Sequence, residues 1–200
     1  MLSFIVPAYN EELELPATIK AIHNSANGRI RVGEQYEIVV VDDGSTDATT
    51  EIARGADAEV VSINRRQIAA ARNAGARHAR GDILFFVDAD TRINEKHVTG
   101  AIAVLEEGCS GGGAHIVVDG SIPLWASVLT KAFCALYFAL NLGAGAFLFT
   151  TRKNFEAIGG FDEGLSRSIS SASHSSAWVP IVVVCRRTST NCAISRSYSL

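Results

Sequence analysis

Asp88-Ala89-Asp90 set two carboxylates one residue apart, directly after the apolar run Ile83-Leu84-Phe85-Phe86-Val87. Such a run reads as a buried strand, so the pair lies where that strand leaves its sheet. Two crowded carboxylates repel unless a cation neutralises them. A divalent metal carrying a phosphate ester would do so. A second cluster, Asp42-Asp43-Gly44-Ser45-Thr46-Asp47, ends the run Ile38-Val39-Val40-Val41 in the same way. Two acid-tipped strands in one alternating pattern point to a single shared site.

The elements that must hold these acids alternate along the chain. Residues 2–6 read as a first strand. Leu15, Ile19 and Ile22 recur at helical spacing, with Pro16 in a first turn that tolerates it. Strands are expected at 36–41, 59–63 and Ile83–Val87. A short helix capped by Ser45 or Thr46 runs through Ala53. An alanine-rich helix spans 68–79 and is ended by Gly81, and another spans Glu95–Glu106. Gly111-Gly112-Gly113 reads as a flexible loop before a strand at 114–118. A helix at 123–140, a strand at 146–150 and a helix at 152–158 follow. This alternation predicts an α/β domain with a mostly parallel sheet. Ligands of such sheets bind at the carboxyl ends of strands, near the topological switch point. Both acidic clusters and Pro7-Ala8-Tyr9-Asn10-Glu11 lie at such ends, so three loops converge on one crevice.

Bulk properties fit this picture. Two hundred residues with 48% hydrophobic and 20% charged content make one globular domain. A net charge of -3 offers no basic surface for nucleic acid. Cys109, Cys134, Cys185 and Cys192 lack CxxC spacing, so reduced thiols are expected rather than a zinc site or disulfide framework. The five histidines share no ligand spacing and read as structural. Met1-Leu2-Ser3-Phe4-Ile5-Val6-Pro7 has no basic start and too short an apolar run for a signal peptide. The apolar stretch 122–149 reads as a buried or interfacial helix followed by a strand, not a transmembrane span. The expected location is the cytoplasm, at the inner face of the cell membrane if that helix is interfacial.

The motifs Val6-Pro7-Ala8-Tyr9-Asn10-Glu11-Glu12, Val40-Val41-Asp42-Asp43-Gly44-Ser45-Thr46-Asp47, Ala71-Arg72-Asn73-Ala74-Gly75, Gly81-Asp82, Asp88-Ala89-Asp90 and Gly159-Gly160-Phe161-Asp162-Glu163 occur in this order. In order and spacing the chain resembles the family-2 glycosyltransferases of the GT-A fold from residue 1 to about 165. The resemblance implies a Rossmann-like nucleotide-diphospho-sugar transferase sandwich, and transfer of a sugar, with inversion, from a UDP- or GDP-linked donor to a saccharide, lipid or other hydroxyl acceptor. Pro7, Ala8, Tyr9, Glu11, Asp42, Asp43, Arg72, Asp88 and Ala89 would bind the donor. Tyr9 would flank the base, Asp42 or Asp43 would accept from base or ribose, and Arg72 would pair with phosphate charge. Asp90 and Asp88 would hold Mg²⁺ or Mn²⁺, with Asp90 the direct ligand.

The likeness breaks after Leu165. Residues 166–200 are rich in Ser, Arg and Thr and hold no Asp or Glu. The family's usual base, an Asp in a Glu-Asp pair, would fall near Ile169 and Ser170, where no carboxylate stands. This tail reads either as a disordered Ser-rich extension or as the product of a reading-frame change. Two other readings therefore stay open: a nucleotide-sugar-binding protein of the same fold without chemistry, and a nucleotidyltransferase. The latter is disfavoured because the loop after the first strand is acidic and free of glycine.

Overall fold

The computed structural model describes residues 1–29, 35–113 and 146–164, with short strands at 117–118, 177–178, 182–184 and 195–197. Its frame is a six-stranded sheet built from β1 (Leu2–Ala8), β2 (Tyr36–Asp42), β3 (Glu59–Ser62), β4 (Ile83–Val87), β6 (Gly111–Gly113) and β8 (Phe147–Thr151), in the order β3-β2-β1-β4-β8-β6. A two-residue strand β5 (Thr91–Arg92) and β7 (Val117–Val118) belong to a smaller sheet. Strands β1 to β4 pair in parallel, and β8 runs antiparallel to both β4 and β6. The helices are α1 (Leu15–Arg29), α2 (Thr49–Gly55), α3 (Ile68–His78), α4 (Glu95–Glu106) and α5 (Arg152–Ala157).

Alternation along the strands sends side chains to two cores. Leu2, Phe4, Val6 and Ala8 of β1 face a cluster with Leu15, Ile19 and Ile22 of α1 and Val98 of α4. Ile5, Val39, Val41, Leu84 and Phe86 face the opposite cluster with Ala71 and Ala76 of α3. Stacked rings run across the first core, Phe4 on Phe85 at 4.9 Å and Phe85 near Phe147 at 5.8 Å between centroids. The chain winds from β1 out to β3 and returns to place β4 on the other side of β1. The switch point thus lies between the carboxyl ends of β1 and β4, where the loop after Ala8 meets Asp88.

Several local expectations change. Gly111-Gly112-Gly113 is a strand, paired with Thr150, Phe149 and Leu148. A Cβ on Gly111 would sit 2.7 Å from the Phe149 carbonyl oxygen, so close backbone approach, not flexibility, selects glycine there. Ser45 and Thr46 do not cap α2. Its N-cap is Ala48 without a side-chain bond, while Asp47 Oδ1 accepts from the Thr49 amide at 3.0 Å. Helix α3 ends at His78, before Gly81. Gly81 instead lets β4 start against β1: a Cβ would fall 2.4 Å from Ser3 Oγ and 2.8 Å from the Met1 carbonyl. Cys109 is disulfide-bonded, against the expectation of reduced thiols; a pairing between distant cysteines leaves no local spacing to read. The helix expected at 123–140 and nearly all of the tail fall outside the described residues. Among the described residues no helix is long and apolar enough to cross a membrane.

Candidate donor and metal site

The loops after β1 and β2 are laced together at the sheet's carboxyl edge. The Asn10 amide donates to Ser45 Oγ at 3.0 Å, and Asn10 Oδ1 accepts from the Thr46 amide at 2.8 Å. The Glu11 amide donates to Thr49 Oγ1 at 2.8 Å. Glu12 joins the lacing, its amide donating to Asp47 Oδ2 and its carboxylate accepting from the Ala48 amide, each at 3.2 Å. Asn10 adopts a φ of 54°, a left-handed turn that asparagine tolerates better than most residues. Pro7-Ala8-Tyr9 is thereby held on one wall of the crevice.

Asp42 and Asp43 are brought to this edge and are buried there. Asp42 accepts from the Ser45 amide at 3.0 Å and from Thr50 Oγ1 at 2.9 Å. Asp43 accepts from the backbone amides of Arg65 at 2.6 Å and Gln67 at 2.8 Å. Arg66, between those two amides, is left in a φ of 51°, and its guanidinium lies 3.7 Å from the Tyr9 ring centroid. All four carboxylate oxygens already shape loops. Each oxygen keeps a second lone pair with which a donor could still be met. Replacing Asp43 by asparagine turns one acceptor into a donor aimed at a part-buried amide. We expect a loss of about 2 kcal/mol or more, read as a fall in the urea midpoint at unchanged m-value.

The acid pair is pinned from two sides. Arg72, buried on α3, donates to Asp88 Oδ1 at 2.7 Å. From α1 the fully buried Thr18 donates to the Ala89 carbonyl at 2.6 Å. Arg92 in turn donates to Thr18 Oγ1 at 2.8 Å and to Glu14 Oε2 at 2.6 Å. Thr18 and Arg92 carry no motif signal; their importance arises only because α1 packs beside the loop after β4. Arg72 thus meets the site as expected, and there it pairs with a carboxylate.

Negative charge accumulates beyond what these arginines offset. Burial, followed by the charges of Asp90, Glu14, Asp47 and Asp88, pushes the Glu11 carboxyl up from its usual 4.5 to about 7. Burial and then Asp88 raise Asp90 as well. The sign for stability follows from the raised value. Glu11 contributes fully below pH 4.5, and that contribution is lost as pH climbs through about 7. With solvent screening at this half-exposed site the loss is about 1–2 kcal/mol. Urea midpoints of metal-free protein should fall between pH 4.5 and 7.5, and Glu11→Gln should flatten that slope.

A divalent cation fits this donor set. Asp90 and Asp88 supply hard oxygen ligands, and the surrounding excess of carboxylate charge is the kind a cation relieves. Among the described residues no three His, Cys, Asp or Glu side chains converge to hold an ion by themselves. The described histidines are engaged elsewhere: His23 bonds Tyr36 and the Ala56 carbonyl, His78 lies 2.8 Å from Glu59, and His97 Nδ1 accepts from the Asn94 amide to complete a helix cap.

Residues 3–130 match the family described as glycosyl transferase family 2. The chain belongs to glycosyl transferase family 2. Family members from Shewanella sediminis and Aeromonas hydrophila named undecaprenyl-phosphate 4-deoxy-4-formamido-L-arabinose transferase are 34% and 35% identical to it. These matches cover 54% and 45% of this chain and 34% and 29% of those proteins. The chain thus spans about a third of the length of these curated relatives. Among solved structures, Staphylococcus aureus TarS 1-349 superposes over 83% of this chain and 51% of its own, with a TM-score of 0.57 at 20% identity. Its complex with UDP-GlcNAc matches 62% of this chain and 36% of its own, with a TM-score of 0.51 at 26% identity. Glucosyl-3-phosphoglycerate synthase from Mycobacterium tuberculosis, solved with Mn²⁺ and UDP, covers 76% of this chain and 57% of its own, with a TM-score of 0.55 at 24% identity. The family-2 chain has the GT-A fold: a central, mostly parallel sheet between helical layers.

Proposed function

We propose that this chain binds a nucleotide-diphosphate sugar through a divalent metal at Asp88 and Asp90 and transfers the sugar, with inversion, to a lipid phosphate. The observation that carries the donor half is the gathering of Glu11, Asp88 and Asp90 at the switch point, where burial and then the neighbouring acids raise the Glu11 carboxyl to about 7. A bound Mg²⁺ or Mn²⁺ would supply Lewis-acid stabilisation of the departing diphosphate. The chain's own residues do the rest. Arg72 fixes Asp88, Thr18 fixes the Ala89 carbonyl, and Pro7, Ala8 and Tyr9 form the wall that faces the nucleoside. The UDP-GlcNAc complex of TarS supports a UDP-linked donor.

The acceptor half rests on chemistry. A hydroxyl must lose a proton as it attacks, and a positioned base takes it. Ile169 and Ser170 offer none, and no Asp or Glu stands anywhere from 166 to 200. A phosphate monoester has a second pKa near 6, so its attacking oxygen is already ionised at neutral pH and needs no base. The undecaprenyl-phosphate transferases among the relatives support such an acceptor. Peripheral work at the cytoplasmic face of a membrane, where a lipid phosphate is presented, follows from this reading. The missing base also favours a second one, donor binding without transfer.

Calorimetry with UDP- and GDP-sugars, with and without Mn²⁺, tests the donor half; no metal-dependent binding to any of them overturns it. Radiolabelled sugar transfer to polyprenyl phosphate against polyprenol separates the acceptor readings. Turnover on the phosphate alone supports the proposal, and binding without turnover on either supports the second reading.

A further inference from the structure

We infer that Asn73 is a positioning residue for the acid pair, acting through Phe161 and Arg72; this rests on the donor reading above. Asn73 follows Arg72 on α3 and is 7% exposed. Its amide grips the backbone of a residue 88 positions away: Nδ2 donates to the Phe161 carbonyl at 2.9 Å, and Oδ1 accepts from the Phe161 amide at 2.9 Å. Nδ2 also donates to Glu163 Oε1 at 2.9 Å. Both amide protons and the carbonyl oxygen are thus committed to the Gly-Gly-Phe-Asp-Glu turn. That turn is shaped for the grip. Gly159 and Gly160 have φ of 77° and 82°, and a Cβ on Gly160 would fall 2.7 Å from Asn73 Oδ1.

Held this way, Phe161 has a defined place. Its ring packs edge-on against Phe86 at 5.0 Å between centroids, two residues before Asp88. The Arg72 guanidinium carbon lies 5.3 Å from the same ring centroid. A guanidinium over an aromatic face is attracted by the ring quadrupole. One side of Arg72 is therefore set by Phe161 while its Nη2 reaches Asp88. The contacts run from Asn73 to Phe161, to Arg72, to Asp88. A polar side chain that merely filled space would not need both the amide and the carbonyl of one distant residue.

The test uses the full chain and reads Kd by calorimetry with Mn²⁺ and UDP or GDP, whichever the unaltered chain binds, alongside thermal midpoints. Asn73→Ala should weaken binding at least tenfold at a temperature where the variant is fully folded. Phe161→Leu keeps apolar bulk but removes the ring beside Arg72, and should weaken it similarly. Because both act on one relay, the double variant should be no more than about threefold weaker than either single. A lower melting midpoint with Kd unchanged within twofold marks a purely structural role and overturns the inference. So do losses that multiply in the double variant. If Asn73→Ala does not fold, the Phe161→Leu affinity decides alone. Failure of the unaltered chain to bind any nucleotide overturns the donor reading and this inference with it, a result distinct from normal binding that the variants leave untouched.

Discussion

Asp90→Asn should abolish metal-dependent binding of the sugar nucleotide while leaving the metal-free protein at least as stable as before. The two halves of that result have one cause. Asp90 is half-buried among acids, and burial followed by Asp88 already raises its carboxyl. Removing its charge relieves that repulsion, so the thermal midpoint should hold or rise. The same change removes the negatively charged oxygen a hard divalent cation requires. We expect at least a hundredfold loss in affinity for UDP-sugar in the presence of Mn²⁺, and no loss in the weak binding measured without it. Asp88→Asn should behave differently. Asp88 accepts from the buried Arg72 at 2.7 Å, so its neutralisation leaves that cation poorly matched and should lower the midpoint along with affinity. Calorimetry and thermal melts on the two variants separate the roles. Equal behaviour of the pair would show that Asp90 is no more a direct ligand than Asp88. A site that destabilises the empty protein for the sake of its ligand is a familiar compromise.

The parts of this arrangement legible in the sequence are those whose residue types declare themselves locally. Strands β1, β2 and β4 are apolar runs because both faces of a central parallel sheet are covered. Asp88 and Asp90 stand at the carboxyl end of β4 because the apolar run before them forms that strand. Thr18 and Arg92 declare nothing of the kind, and the motifs that hold Asn73 and Phe161 do not say that these two residues meet. Thr18 meets Ala89 across 71 positions and Asn73 meets Phe161 across 88, and ordinary residue types joined over such spans leave no pattern. Gly111-Gly112-Gly113 misleads for a related reason. Glycine's local preference suggests a loop, while the decisive fact is the Phe149 carbonyl on the neighbouring strand. Ser45 and Thr46 have the chemistry of helix caps, yet the loop after β1 takes them as partners for Asn10. Asp42 and Asp43 are located as expected, and their oxygens turn out to organise the backbone around the site.

Gly75→Ala should be among the most damaging single-methyl changes in the chain, although Gly75 lies in a helix where alanine is ordinarily favoured by about 1 kcal/mol. Helix α3 lies across β1 and β2, and Gly75 is its point of closest approach. A Cβ there would stand 2.3 Å from Ile5 Cγ2 and 2.9 Å from Val41 Cγ2, and both side chains are fully buried. Neither can turn away, because β-branched residues on a strand have few rotamers and the surrounding core is close-packed. The helix must lift instead. Overpacking of this kind costs about 1–3 kcal/mol, at times more. In a chain of this size each kcal/mol lowers the melting midpoint by about 2–4 °C, so a fall of up to about 8 °C is expected after the helix-propensity gain is subtracted. Lifting α3 also moves Arg72 and Asn73, which lie within one turn of Gly75 on the helix that presses Arg72 against Asp88. Nucleotide affinity should therefore fall in the protein that remains folded. Affinity retained alongside the lowered midpoint would show that α3 yields at its carboxyl end alone, and that Arg72 is held from the crevice side. In Ala71-Arg72-Asn73-Ala74-Gly75 the arginine and asparagine reach into the site and the small residues let the helix come close enough for them to do so, which is why one short motif carries both packing and chemistry.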